Sequence, residues 1–229
     1  MRTSGAVDPV ARRCVAGRSC HLWIISTLLL AVAGLLAVYP QLNHGPNRWF
    51  LRTPVDERIP LVKPLVIPYL SIYAVAVLTL VVLLLRSVRL AESALLAAVF
   101  TLATAMVFYH FAQTYVARPQ VTGDDLFSRL LRGVYSSDSA YNDFPSLHAG
   151  LSTVLAVHWV RLNRRLGLGV AAWCALIAVS TVFVHQHYLA DVGAGVGVAA
   201  AACMAGKLIS NRLAGPAADP IVQAGLTSD

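Results

Sequence analysis

Charged residues are scarce in this sequence: Asp, Glu, Lys and Arg make up 13% of its 229 residues. A soluble domain usually carries about 25% charged residues. Long uncharged apolar runs stand in their place, and the mean hydropathy is +0.66. A helix that crosses a bilayer needs about 20 such residues. The shortage of charge therefore excludes an ordinary soluble domain and predicts an integral membrane protein.

Cysteine is also rare, and its spacing lacks the pattern of a zinc site. We expect the four cysteines, Cys14, Cys20, Cys174 and Cys203, to be free, reduced thiols. The sequence has a formal charge of +7 but no patch in which basic and aromatic residues alternate. Its basic residues lie in short segments between apolar runs. We interpret them as topology signals and expect no nucleic-acid partner.

Six apolar runs predict an all-α bundle of six transmembrane helices. The runs are Leu22–Tyr39, Leu65–Leu85, Ser93–Phe111, Leu147–Val160, Leu168–Val184 and Leu189–Ile209. No small-residue cleavage site follows the first run, so we expect it to be retained as a span. The last run is rich in Gly and Ala, which favours close helix packing. Residues 22–209 form the expected catalytic membrane domain, between a basic tail (1–21) and a flexible tail (210–229).

The basic residues are divided unevenly between alternate loops and tails. One set of segments, which includes both termini, holds 11 of the 18, and the other set holds 7. Because cytoplasmic segments carry the excess, both termini are expected in the cytoplasm. The protein is expected in the plasma (inner) membrane, with the loops 40–64 and 112–144 on the extracytoplasmic side.

The second of these loops contains a predicted short helix. Thr122-Gly-Asp-Asp125 resembles a capping box, apolar residues follow at helical spacing, and Gly133 suits a stop. The pattern fits a helix that lies on the membrane surface, and it fits a helix packed on the bundle equally well.

Ionisable residues inside membrane spans are costly and therefore point to functional sites. Asp191 is the only carboxylate in a predicted span. His187 lies four residues before it, so we expect the two side chains on one helical face. The carboxylate could then hold one imidazole nitrogen and leave the other free as a nucleophile or base.

His148 follows Pro145-Ser146-Leu147 at the expected start of the fourth span. Pro145 suits the first helical position, and the amides of a first helical turn can hold an anion. Arg118, in the preceding loop, is a residue type suited to gripping a phosphate with two hydrogen bonds. The expected topology places Arg118, His148 and His187 on the same side of the membrane.

Two motifs in this region carry a family resemblance. Asp143-Phe-Pro-Ser-Leu-His148 and Ser180-Thr-Val-Phe-Val-His-Gln-His187-Tyr-Leu-Ala-Asp191 resemble the type 2 phosphatidic acid phosphatase superfamily. Within it, they are most similar to the inositol phosphorylceramide synthase-like branch. The resemblance implies phosphoryl transfer on a lipid phosphate in the membrane, with no metal and no cofactor.

The resemblance also implies a role for each site residue. His187 would attack phosphorus and form a phosphohistidine, Asp191 would orient it, and His148 would protonate the leaving group as general acid. The phosphoryl oxygens would be held by Arg118, Ser146 and the backbone amide of Leu147.

Two positions depart from the usual phosphatase pattern, and they leave the reaction open. Phe111 stands where that pattern has a Lys, and Thr181 stands where it has an Arg. The resemblance favours a hydrolase of a lipid phosphate, and a headgroup transferase of the inositol phosphorylceramide synthase type is the alternative. A haem or metal protein with ligands among His148, His185 and His187 is a further alternative. A transporter or scaffold is another, although no internal repeat supports transport. The sequence does not indicate the oligomeric state.

Overall fold

A computed structural model describes residues 9–45 and 49–214, with the side chains of residues 20–45 and 49–209. In these ranges the chain forms seven α-helices and two short 3-10 helices, and its only β pairings are isolated bridges. The α-helices are α1 (Pro9–Leu42), α2 (Val66–Arg86), α3 (Val88–Phe111), α4 (Leu126–Ser137), α5 (Leu147–Leu162), α6 (Arg164–Phe183) and α7 (Leu189–Ala214). The all-α prediction is confirmed. Parts of the predicted tails, residues 1–8 and 215–229, lie outside the described residues.

Five helical segments within the described residues are long and apolar enough to cross a membrane, so the chain is an integral membrane protein. They are Cys20–Leu42, Lys63–Arg86, Val88–Phe111, Arg164–Phe183 and Leu189–Ile209. The predicted count of six spans is not confirmed, because α5 has only 16 residues. Its length is about 24 Å at 1.5 Å per residue, shorter than a hydrocarbon core of about 30 Å.

Four helices begin at a side chain that accepts a hydrogen bond from a backbone N–H three residues further on. These N-caps are Ser87 for α3, Asp125 for α4, Ser146 for α5 and Asn163 for α6. Each one satisfies an amide that has no partner inside its helix. Two details of the sequence analysis are therefore wrong: Thr122 is not the cap of α4, and Pro145 precedes the cap of α5. Gly133 also does not end α4, which continues to Ser137.

The helix α4 packs on the bundle through one apolar face. Leu131 and Val134 are buried against Val66 and Tyr69 of α2 and against Val184. The packing on the bundle is therefore present, and a position at the membrane surface stays a prediction.

The last helix, α7, approaches its neighbours through particular small residues. A Cβ added at Gly195 would lie 2.3 Å from the backbone oxygen of Ser146, and one at Gly206 would lie 2.8 Å from a backbone oxygen of α3. Gly193 and Gly197 have open space around them. Of the glycines predicted for a packing face, Gly193, Gly195 and Gly197, only Gly195 makes a close approach, which lets α7 lie directly against the start of α5; Gly206 is a second close approach that was not predicted.

One end of the bundle gathers the chain segments that carry the sequence motifs. The helices α2, α5 and α7 begin there, and α3 and α6 end there. Three hydrogen bonds join these segments: Tyr109 Oη to the Pro145 carbonyl at 2.8 Å, Val62 N to the Phe183 carbonyl at 2.9 Å, and Ser146 N to the Asp191 carbonyl at 3.0 Å. We call this end of the molecule the motif end.

Candidate active site

His187 lies in the short turn between α6 and α7 at the motif end. The backbone N–H groups of Gln186 and His187 both donate to the carbonyl of Thr181, at 2.9 and 3.2 Å. These two bonds hold the turn against the last turn of α6. The expectation that His187 and Asp191 share a helical face is wrong, because His187 precedes the first residue of α7.

Asp191 nevertheless lies next to His187, in the first turn of α7. Its Oδ2 accepts a hydrogen bond from the backbone N–H of Tyr188 at 2.7 Å, as the third residue of a helix does in a capping box. The same oxygen is 3.7 Å from Nδ1 of His187, a charge contact that is too long for a hydrogen bond. Among the described residues, neither His187 Nδ1 nor Asp191 Oδ1 has a hydrogen-bond partner. The two side chains are thus buried and adjacent, and each keeps one polar atom without a hydrogen-bond partner among the described residues.

His148 is the second residue of α5, and aromatic side chains of α2 fix its ring. Tyr69 stacks on it, with 4.1 Å between the ring centroids and 17° between the planes. Tyr73 contacts it edge-on at 6.4 Å. The Nε2 atom of His148 is buried, and no described residue offers it a hydrogen bond. The ring centroids of His148 and His187 are 6.4 Å apart.

Arg118 connects the loop that follows α4 with the turn that carries His187. Its Nη1 donates to the carbonyls of Tyr135 (3.4 Å) and Asp138 (2.5 Å), and its Nη2 donates to the carbonyl of Ser139 (3.0 Å) and to Oε1 of Gln186 (2.7 Å). The guanidinium also lies 5.1 Å from the ring centroid of Tyr135. Of the N–H groups of Arg118, only the Nε–H has no hydrogen-bond partner among the described residues.

Ser146 and Leu147, the other two predicted phosphate-binding residues, form the start of α5. The Ser146 hydroxyl is engaged as the N-cap and accepts the N–H of Ala149 at 3.3 Å. The side chain of Leu147 packs against the apolar cluster that contains Met106 and Tyr109. Any direct contribution of Leu147 to an anion is therefore through its backbone.

A cavity of about 250 Å³ lies beside His187 at the motif end. The residues that line it include two cations, two acids and two histidines: Arg52, Arg118, Asp56, Glu57, His185 and His187. This cavity is not lined by His148, Ser146 or Asp191, all of which lie in the described part of the chain. Arg52 was not predicted from the sequence, because no motif distinguishes it from the other loop arginines.

Asp56 anchors the segment that contains Arg52 to the first residue of α7. Its Oδ1 accepts the N–H of Leu189 at 2.9 Å, and its Oδ2 accepts the N–H and the hydroxyl of Thr53 at 2.8 and 2.6 Å. Burial alone would raise the pKa of Asp56, but these hydrogen bonds outweigh it and lower the pKa below 3.8. Asp56 is therefore an ionised structural link with its oxygens already occupied.

The other polar residues singled out in the sequence shape loops or join helices. Asp138 accepts the Tyr39 hydroxyl at 3.0 Å, Asn142 Oδ1 accepts the Gln113 amide at 2.9 Å, and His158 Nε2 lies 3.1 Å from the Ser93 hydroxyl. Asp143 is also buried. Desolvation, together with the nearby charge of Asp191, raises the pKa of Asp143 well above its ordinary value of 3.8.

Within the described residues, no group of three or more His, Cys, Asp or Glu side chains could hold a metal ion. The haem or metal alternative therefore has no ligand cluster in that part of the chain.

The comparisons with known proteins identify a family. The model of the PAP2 superfamily, the superfamily that the two motifs resemble, matches residues 94–213. This match covers just over half of the chain and includes Arg118, His148, His187 and Asp191. No curated protein and no solved structure matches. The comparisons do not support assignment to the inositol phosphorylceramide synthase-like branch.

Proposed function

Because the chain belongs to the PAP2 superfamily, we propose that it is an integral-membrane enzyme that hydrolyses a lipid phosphate through a phosphohistidine on His187. Members of this superfamily are generally phosphatases, which act on phosphate esters. The observation that carries the proposal is the pairing of two histidines, His148 and His187, with their ring centroids 6.4 Å apart. A cavity that is lined by two arginines lies beside His187.

In this proposal His187 is the nucleophile and Asp191 is its positioning partner. The carboxylate is 3.7 Å from Nδ1 of His187, so it favours the tautomer that carries its proton on Nδ1. Nε2 then keeps its lone pair and attacks phosphorus. The ring becomes positively charged as the N–P bond forms, and the buried negative charge of Asp191 stabilises that state.

His148 is the proposed general acid. It protonates the leaving alkoxide as the P–O bond breaks, and then takes a proton from the water that attacks phosphorus and releases His187. In-line transfer needs the nucleophile about 3–3.5 Å from phosphorus and the acid about 2.6–3.2 Å from the leaving oxygen. The ring centroids of His148 and His187 are 6.4 Å apart, so both imidazoles are near enough to contact one bound phosphoryl group.

The phosphoryl oxygens are assigned to Arg118 and to the start of α5. The Nε–H of Arg118 is buried and has no partner among the described residues. The backbone amides near Leu147 lie at the positive end of the α5 dipole, where anions bind favourably. Ser146, whose hydroxyl caps the helix, contributes by holding these amides in place.

We also propose that α5 crosses the membrane as the sixth span and that the site faces the extracytoplasmic side. The division of basic residues, 11 against 7, supports this orientation. Asp124 lies on the loop before α4 with a fully exposed side chain. A cysteine introduced by Asp124→Cys should react in intact cells with a thiol reagent that cannot cross membranes. Labelling only after the cells are broken would reverse the assignment.

The experiment that tests the enzyme uses purified protein and a lipid phosphate labelled with ³²P in its phosphate group. We expect phosphate release without added metal, and a protein-bound label that is stable to base and labile to acid, as a phosphohistidine is. His187→Asn should abolish both. His148→Asn should slow turnover by about 10²–10⁴-fold, the usual contribution of general acid catalysis.

His110→Asn is the matched control, because His110 is an exposed histidine of α3 that does not line the cavity. It should retain full activity. Retained phosphate release in the double variant His148→Ala/His187→Ala would refute the proposal. Supplying an alcohol acceptor such as a ceramide or inositol separates the two reactions, since a hydrolase still yields inorganic phosphate and a transferase moves the labelled phosphoryl group to the alcohol as a new phosphate monoester.

A further inference from the structure

The phosphatase pattern has a cationic residue at two positions where this chain has an uncharged one. Phe111 is 76% exposed at the end of α3, outside the cavity lining. Thr181 is fully buried, and its hydroxyl donates to the carbonyl of Ala178 at 2.7 Å. Arg118 has committed both of its terminal nitrogens to oxygens of the protein. A doubly charged phosphate at this site would therefore need another cation.

Arg52 lines the same cavity as Arg118 and His187. Its ion pair is with Glu57, at 3.8 Å between Nε and Oε1, and the two side chains are 50% and 58% exposed. A pair that is long and half-exposed contributes little, because water and salt screen it. The guanidinium can thus exchange Glu57 for a more strongly charged anion without losing a strong contact.

The backbone around Arg52 is fixed to both motif segments. On one side, Trp49 exchanges two backbone hydrogen bonds, each 3.2 Å long, with the strand-like segment that leads to Arg118. On the other side, Asp56 accepts the N–H of the first residue of α7, two positions after His187, at 2.9 Å. Arg52 lies between these anchors, so its position relative to the proposed nucleophile is set by long-range contacts.

The charge of Arg52 is felt on both sides of His187. Burial lowers the pKa of His185, and the positive charge of Arg52 lowers it further. Burial raises the pKa of Tyr188, and Arg52 opposes that rise. The positive field of this side chain therefore extends over the turn that holds His187.

We infer that Arg52 is a phosphate-binding residue, which supplies from the loop before α2 the cation that Phe111 and Thr181 do not provide. This inference rests on the proposed function, since the ligand is the phosphoryl group of that reaction. In the unliganded protein the guanidinium of Arg52 pairs with Glu57. On binding, the phosphoryl oxygens replace the Glu57 carboxylate.

The test measures binding of inorganic phosphate to the full-length protein in detergent, by calorimetry, and the KM and kcat for a lipid phosphate. Arg52→Gln should weaken phosphate binding about 10-fold, the lower end for hydrogen bonds to a charged group, because this arginine is half-exposed. KM should rise by a similar factor while kcat changes less. Arg52→Lys should recover part of the loss, since it keeps the charge but not the planar fork.

Arg58→Gln is the matched control. Arg58 lies in the same segment and its substitution makes the same charge change, but it is exposed and outside the cavity lining. Phosphate binding should be unchanged in this variant, and Glu57→Gln should strengthen it. Equal effects of Arg52→Gln and Arg58→Gln would overturn the inference as a general charge effect, and so would a wild-type protein that does not bind phosphate.

The two hypotheses fail in different ways. If the wild-type protein binds phosphate through Arg52 but forms no phosphohistidine and releases no phosphate, the proposed reaction is wrong and the binding site stands. If it turns over the lipid and Arg52→Gln behaves as wild type, the reaction stands and the role of Arg52 is wrong. Should Arg52→Gln fail to yield folded protein, Arg52→Lys and Glu57→Gln decide, since neither removes the side-chain bulk.

Discussion

The substitution Asp191→Asn separates the charge of this residue from its structural hydrogen bond. Asp191 has two functions in the structure: Oδ2 accepts the N–H of Tyr188 at 2.7 Å, and the same carboxylate lies 3.7 Å from Nδ1 of His187. Asparagine keeps an oxygen that can accept from Tyr188 and has nearly the same volume. It removes only the negative charge beside the imidazole ring.

The loss of rate can be worked from the distance between the two groups. When His187 attacks phosphorus its ring becomes cationic, and at 3.7 Å with an effective dielectric constant of about 20 a unit charge pair interacts by about 4.5 kcal/mol. Asp191 is 1% exposed and His187 is 8% exposed, so solvent screening is small. Loss of that interaction in the transition state corresponds to a decrease in kcat of about 10³-fold.

The assay is single-turnover formation of the ³²P-labelled phosphoenzyme, followed together with thermal unfolding. We expect slow labelling in Asp191→Asn and an apparent unfolding temperature within about 3 °C of the wild type, since the capping bond is retained. Asp191→Ala removes the charge and the capping bond together, and it should lower both the rate and the unfolding temperature. A folded Asp191→Asn protein that keeps more than a tenth of the wild-type rate would refute this reasoning.

Two further predictions concern packing and pH. Gly195→Ala should destabilise the protein by about 1–3 kcal/mol and reduce activity, because its Cβ would lie 2.3 Å from the Ser146 carbonyl, whereas Gly197→Ala, which meets open space, should unfold in denaturant as the wild type does. Asp143 has a raised pKa in the folded protein. The stability that it contributes is therefore fully present below its pKa in the unfolded chain, and is lost as the pH rises through its pKa in the folded protein. Asp143→Asn should therefore be at least as stable as the wild type at pH 7 and should show a weaker loss of stability between pH 4 and 8; an unchanged pH profile would contradict the assignment.

The structure agrees best with the sequence analysis where local patterns decide the outcome. A bilayer penalises every unpaired polar group, so the length of an apolar run alone identifies a membrane helix. The predicted run Leu65–Leu85 became α2, Val66–Arg86, and the predicted start of the fourth span at Leu147 is the first residue of α5. The short helix before that span was also expected, because its apolar residues recur at helical spacing. Its cap and its end were placed incorrectly.

Sequence spacing by itself thus determined that this is an all-α membrane protein, and it selected His148, His187 and Asp191 as candidate site residues. Only the tertiary structure decided how these residues meet. It placed His187 in a turn before α7, committed Arg118 to three carbonyls and Gln186, and brought Arg52 into the cavity. The physical reason is that the contacts of Arg118 join segments more than 15 residues apart, and the turn of His187 is held by irregular backbone hydrogen bonds, neither of which a local periodicity records.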